Sequence, residues 1–95
     1  MFVLAGTIDI HMPHNQSLKE KRMIIKSISE KIKKRFSCSV AEVGHQEKWQ
    51  RSLLGIAVVS GELNYLEKTE ELIIRLIEEQ YPVDLVMVDF EVIKK

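Results

Sequence analysis

The side chains able to do chemistry fall into two groups. Asp9, His11 and His14 surround the first break in the apolar pattern, and Cys38, Glu42 and His45 accompany a second apolar run. Zinc needs three or four ligands, usually with a short-spaced pair of Cys or His. His11-x-x-His14 has no second pair and no helix beneath it, so it reads as two surface histidines in a loop. Cys38 lies in an alternating run and reads as a small core residue, not a nucleophile. Asp9, Glu42 and Glu91 could meet on a sheet face as an acid–base pair. A small-ligand or enzyme site near Asp9, His11 and Glu42 is the weakest reading, because nothing in their spacing singles them out. No G-x-G-x-x-G, P-loop, G-x-S-x-G or H-E-x-x-H pattern occurs. A non-enzyme without metal or cofactor is expected.

The second feature is a tryptophan in an unusual place. Trp49 is the single Trp of the chain and sits in the polar run Gly44-His-Gln-Glu-Lys-Trp-Gln-Arg-Ser52, between two apolar runs. A connector between strands has little need of a large aromatic. Either Trp49 packs as a lid on the edge of a small core, or it stands exposed beside Lys48 and Arg51. In the second case it stacks a base or fills a partner's pocket. Gln50 and Arg51 are the better candidates for direct contacts, since a planar guanidinium pairs with phosphate or carboxylate through two parallel hydrogen bonds.

These residues need elements to hold them. In residues 2–12, Phe2, Leu4, Ile8, Ile10 and Met12 share one face, and Thr7, Asp9 and His11 share the other. Period two with one polar face is a half-buried strand. Ser17-Leu-Lys-Glu20 reads as a capping box. Behind it Leu18, Ile25, Ile28, Ile32 and Phe36 recur at helical spacing, predicting a helix to about Arg35. Residues 38–44 and 53–60 read as strands, the latter apolar on both faces as a central strand would be. Asn64 with Glu67 repeats the cap signal, and Leu66, Leu72, Ile73, Leu76 and Ile77 mark a second helix ending near Gln80, before Pro82. In the last strand Val86, Val88, Phe90 and Val92 oppose Leu85, Met87, Asp89 and Glu91. The order β-α-β-β-α-β predicts an α+β, ferredoxin-like domain over residues 1–95, a four-stranded antiparallel sheet with both helices on one face and strands one and three central.

Charge divides the two helices. Residues 19–35 hold eight cations (Lys19, Lys21, Arg22, Lys26, Lys31, Lys33, Lys34 and Arg35) against Glu20 and Glu30, whereas residues 62–80 hold six glutamates against Lys68 and Arg75. The zero net charge of the chain therefore hides a basic helix beside an acidic one. Two solvated faces that attract each other, or a basic helix that follows a phosphate backbone, both fit. The 45% apolar and 29% charged residues of this 95-residue chain argue against disorder. One cysteine leaves no internal disulfide and fits a reducing, cytoplasmic setting. No apolar run approaches the roughly 20 residues of a membrane span.

The sheet face away from the helices is expected to show Val3, Ala5, Leu85 and Met87. It lacks the stacking aromatics of an RNA-recognition motif, so it suits a second protein, most simply another copy of the chain.

His11-Met-Pro13, Ser17-Leu-Lys-Glu-Lys-Arg22, Val40-Ala-Glu-Val-Gly44, Gln46, Trp49-Gln-Arg51 and Leu54-Gly55 together resemble the YlxP-like family of small bacterial proteins, over nearly the whole chain. The resemblance implies a ferredoxin-like fold with no established biochemical activity. It also implies genes often placed near those of translation initiation and ribosome maturation, hence an RNA or ribosome connection. His45 departs from the acidic or polar residue expected there. The favoured expectation is a binding module for RNA or the ribosome, using Lys19, Lys21, Arg22, Lys26, Trp49, Gln50 and Arg51. The rival is a protein-interaction module that forms a homodimer through the free sheet face.

Overall fold

The computed structural model describes all 95 residues. Strands β1 (Phe2–His11), β2 (Ser39–Gly44), β3 (Arg51–Ser60) and β4 (Asp84–Lys94) alternate with helices α1 (Leu18–Phe36) and α2 (Leu63–Gln80) in the expected order. The strands form one antiparallel sheet, ordered β2-β3-β1-β4. Strands one and three are central, and the fold is ferredoxin-like.

The even-numbered residues of β1 and β3 make the floor of the core. Leu4, Ile8, Ile10, Leu54, Ile56 and Val58 are buried there, under Ile25, Ile28, Ile32 and Phe36 of α1 and Leu66, Ile73, Leu76 and Ile77 of α2. Both helices lie on this one face because each presents a single apolar stripe.

The caps are formed differently from the sequence pattern. Ser17 Oγ accepts from the Glu20 amide at 3.1 Å, but the Glu20 carboxylate accepts from the Gln16 amide at 3.1 Å and not from Ser17. Ser37, in the left-handed region with φ 50°, closes α1. Asn64 is not a cap. The chain turns directly after β3, Ser60 Oγ accepts from the Glu62 amide at 3.0 Å, and Asn64 already lies inside the first turn of α2.

Two irregularities change which side chains face which way. β3 begins two residues earlier than expected, since Arg51 and Ser52 pair with His11 and Ile10. β1 and β4 keep one register from Phe2↔Lys94 to Asp9↔Met87 and then shift, so that Ile10 meets Leu85. Val86 is the extra residue of this bulge, which reverses the alternation beyond it. Leu85 therefore packs against the core, contrary to its expected outward position, while Met87 does face outward.

Gly6 makes the β1–β4 pairing possible. It sits opposite Phe90, whose ring lies over it. A Cβ at Gly6 would run into the Asp89 carbonyl and stand 2.7 Å from Phe90 Cα. Both obstacles are backbone, so the strands themselves would have to part. Gly6→Ala is expected to destabilise the domain by about 1–3 kcal/mol in chemical denaturation. Gly61→Ala, with nothing within 4 Å of its Cβ, is the matched control and should stay within ~0.5 kcal/mol of the parent.

Candidate nucleic-acid interface

The β2–β3 connection, residues 45–50, is held by an unusual lysine. Lys21 occupies the helical phase of Ile25, Ile28 and Ile32 and is only 1% exposed. Its Nζ donates to the carbonyls of His45 (2.8 Å), Gln46 (3.0 Å) and Arg51 (3.2 Å) and stands 3.1 Å from Glu42 Oε2. Glu42 in turn accepts from the buried Ser52 hydroxyl at 2.6 Å. A buried ammonium is tolerated only when paired and fully hydrogen-bonded, and both conditions hold. Lys21 therefore leaves the set of expected RNA contacts, since its charge is spent inside the protein. Its phase with the apolar stripe was the available signal, masked by its residue type.

A second set of bonds joins the same connection to the β1–α1 loop. Asn15, also buried, donates through Nδ2 to the Trp49 carbonyl at 3.3 Å. Gln50 Nε2 donates to the carbonyls of Asn15 (3.0 Å) and Pro13 (3.3 Å), and the Met12 amide donates to the Gln50 carbonyl at 2.8 Å. Gln50 is thus a clamp between loops. His45 adopts the left-handed conformation, φ 56°, and its carbonyl also accepts from the Lys48 amide, closing a tight turn.

The backbone of Trp49 is tied down while its side chain is not. The residue is 54% exposed and lies outside the core cluster. The core-lid reading of Trp49 is overturned: the loop projects the ring outward instead of folding it over the sheet edge.

Arg51 joins both faces of the sheet. Its carbonyl turns to Lys21, while its guanidinium lies on the outer face and grips Asp9 through Nε (3.1 Å) and Nη2 (2.7 Å). His45 Nε2 approaches the same carboxylate at 3.7 Å. The hydrogen bonds from Arg51 hold the Asp9 carboxyl below its ordinary pKa, outweighing the opposing effect of burial, with the Arg51 charge and then His45 assisting. The same bonding raises the guanidinium pKa of Arg51.

The acid–base set considered from the sequence is not assembled. Asp9 and His11 lie on the outer face, where His11 Nδ1 stands 3.3 Å from Asp84, whereas Glu42 lies on the helix side with Lys21. Burial pushes the Cys38 thiol pKa up, the thiol lying 3.6 Å from the Ile32 carbonyl.

Lys19, Arg22 and Lys26 are exposed on α1. Ser27 and Lys31 mark the side facing the end of α2, through Tyr81 (2.7 Å) and Gln80 (2.9 Å). At 100° per residue, positions 19, 22, 26 and 33 fall on the opposite flank. Of all lysines and arginines, only Lys21 and Arg51 stand within 4.0 Å of a carboxylate. The basic helix is thus not neutralised by direct pairing with the acidic one.

Residues 3–90 match the family described as "Protein of unknown function (DUF503)". The chain belongs to this family. It is also 39% identical over 62 residues to "Uncharacterized protein YlxP" of Bacillus subtilis (strain 168), a stretch covering 65% of this chain and 67% of that relative. No helix of this family member is long and apolar enough to cross a membrane.

Lys21→Met tests the clamp. It strands the Glu42 charge and takes the ammonium donor from three carbonyls, and a loss of about 3–5 kcal/mol is expected in denaturant unfolding. Adding Glu42→Gln to Lys21→Met should recover part of that loss, because the stranded charge is gone.

Proposed function

We propose that this protein is a non-enzymatic RNA-binding module, acting on RNA that is free or part of the ribosome, through the outer flank of α1 and the Trp49 loop. The observation that carries this reading is the exposed indole on a loop whose backbone is fixed by Lys21, Asn15 and Gln50. An exposed aromatic on a fixed loop loses little conformational entropy on binding, which is how stacking platforms gain affinity. The cations lie close by, because Lys21 ties the first turns of α1 to the same loop. Lys19, Arg22 and Lys26 are free of carboxylate partners and able to follow a phosphate chain.

Filter binding at about 50 mM salt, where electrostatic association is strongest, should retain structured or single-stranded RNA or ribosomal subunits. Lys26→Glu should weaken retention across sequences and reduce the salt slope by about one. Trp49→Ala should leave the melting temperature nearly unchanged and cost roughly 1–3 kcal/mol of binding. Absence of retention of all these species would remove the proposal.

The outer sheet face favours a second copy of the chain as a further partner. Met87 (65% exposed) and Val59 (60%) stand there with the half-exposed Val43 and Ile93, around a shallow groove of small residues, Ala5, Ala41, Gly55 and Ala57. Strands of 10, 6, 10 and 11 residues, about 4.8 Å apart, give a flat footprint of about 600 Å². That lies at the lower end of specific interfaces, which bury about 600–1,000 Å² per partner. The free edge of β4 is less suited to pairing, since Asp89, Glu91 and Lys94 guard it. Sedimentation at tens of micromolar should give twice the 11.0 kDa chain mass, and Met87→Lys should restore the single chain without unfolding it. A mass of 11.0 kDa for the parent protein would exclude this assembly.

A further inference from the structure

The Trp49 loop presents more than an exposed ring. Glu47, Lys48, Trp49, Gln50 and Arg51 line one open depression of about 520 Å³. Several polar groups around it have no partner within the protein. The Glu47 carboxylate and Lys48 Nζ make neither hydrogen bond nor ion pair, and the Trp49 indole N–H donates to nothing. Arg51 gives Nε and Nη2 to Asp9, which leaves Nη1 uncommitted. An anionic hydrogen-bond acceptor, a cation, an aromatic face and part of a guanidinium thus border one open depression. Gln50, by contrast, is occupied with the carbonyls of Pro13 and Asn15 and serves as a wall.

We infer that this depression binds one unpaired nucleotide of an RNA strand, with its base stacked on Trp49, its phosphate at Lys48 and Arg51, and Glu47 selecting guanine. The inference rests on the RNA-binding reading above and adds a base preference to it. Stacking alone accepts every base, because each has a π-face. The carboxylate is what discriminates. Guanine offers two adjacent donors on its Watson–Crick edge, N1–H and the 2-amino group, which match the two oxygens of a carboxylate. Adenine and cytosine each offer one amino group beside a ring-nitrogen acceptor. Uracil places carbonyl acceptors on both sides of its N3–H and is repelled by a carboxylate. A site that hydrogen-bonds one base edge rejects bases lacking those donors, because its own polar group would then be left unpaired.

Trp49, as the chain's one tryptophan, is also its own reporter. Titration of the parent protein with GMP, AMP, CMP and UMP, followed by Trp fluorescence, should show quenching at the lowest concentration for GMP. UMP should require at least about tenfold more, the order expected from losing the net contribution of a hydrogen bond. Glu47→Gln should keep quenching and bring the four nucleotides within about threefold of each other. Lys48→Glu should weaken all four alike. Equal quenching by all four with the parent protein overturns the inference, as does no quenching by any at millimolar concentration. Filter binding of guanine-free and guanine-containing single strands runs in parallel. Retention of both to the same extent sinks the base preference while leaving RNA binding in place; retention of neither sinks the inference, and RNA binding itself falls when structured RNA and ribosomal subunits are not retained either.

Discussion

A single buried ammonium organises this end of the molecule. Lys21 has three N–H donors shielded from solvent, and it finds three backbone carbonyls and one carboxylate around them. The carbonyls of His45, Gln46 and Arg51 come from both ends of the β2–β3 connection, so one side chain sets the connection's path. Glu42 balances the charge and also accepts from Ser52, tying β2 to β3 beneath α1. A buried ion pair is weak evidence for extra stability, but breaking one is costly because the remaining charge is stranded. The arrangement therefore penalises alternative loop paths more than it stabilises this one.

The loop geometry follows from that constraint. With its carbonyls drawn inward by Lys21 and Asn15, the segment has little freedom left except in its side chains. Trp49 then projects outward from a fixed backbone, and Gln50 bridges to the β1–α1 loop. Arg51 transmits the arrangement through the sheet: its backbone faces Lys21 and its guanidinium faces Asp9. The inner and outer faces are thus coupled at one residue. The outer sheet face and the basic flank of α1 are separate surfaces.

The same parity that builds the sheet separates its carboxylates. Asp9 is an odd residue of β1 and faces outward, while Glu42 pairs with the buried Leu54 and faces the helices. Each is already engaged with a cation. The cations without carboxylate partners on α1 and the exposed Trp49 lie elsewhere, on one helix flank and one loop.

Most of the fold was legible in the sequence because it rests on local period. The alternation of β1 and the stripe Ile25, Ile28, Ile32 and Phe36 each declare an element and the face it buries. The order of the elements then limits the topology, since right-handed crossovers place both helices on one side. Three features were decided only by tertiary structure. The bulge at Val86 turns Leu85 inward, and a bulge depends on the register of a strand distant in sequence. The burial of Lys21 depends on acceptors 21 to 30 residues away, which no local pattern displays. The exposure of Trp49 is settled by where the surrounding carbonyls find donors, Asn15 among them, and not by the hydrophobicity of the ring. Residue type alone placed the lysine outside and left the tryptophan open between a core lid and an exposed contact. Long-range hydrogen bonding decided both, because an unsatisfied buried carbonyl or carboxylate costs more than an indole left in water.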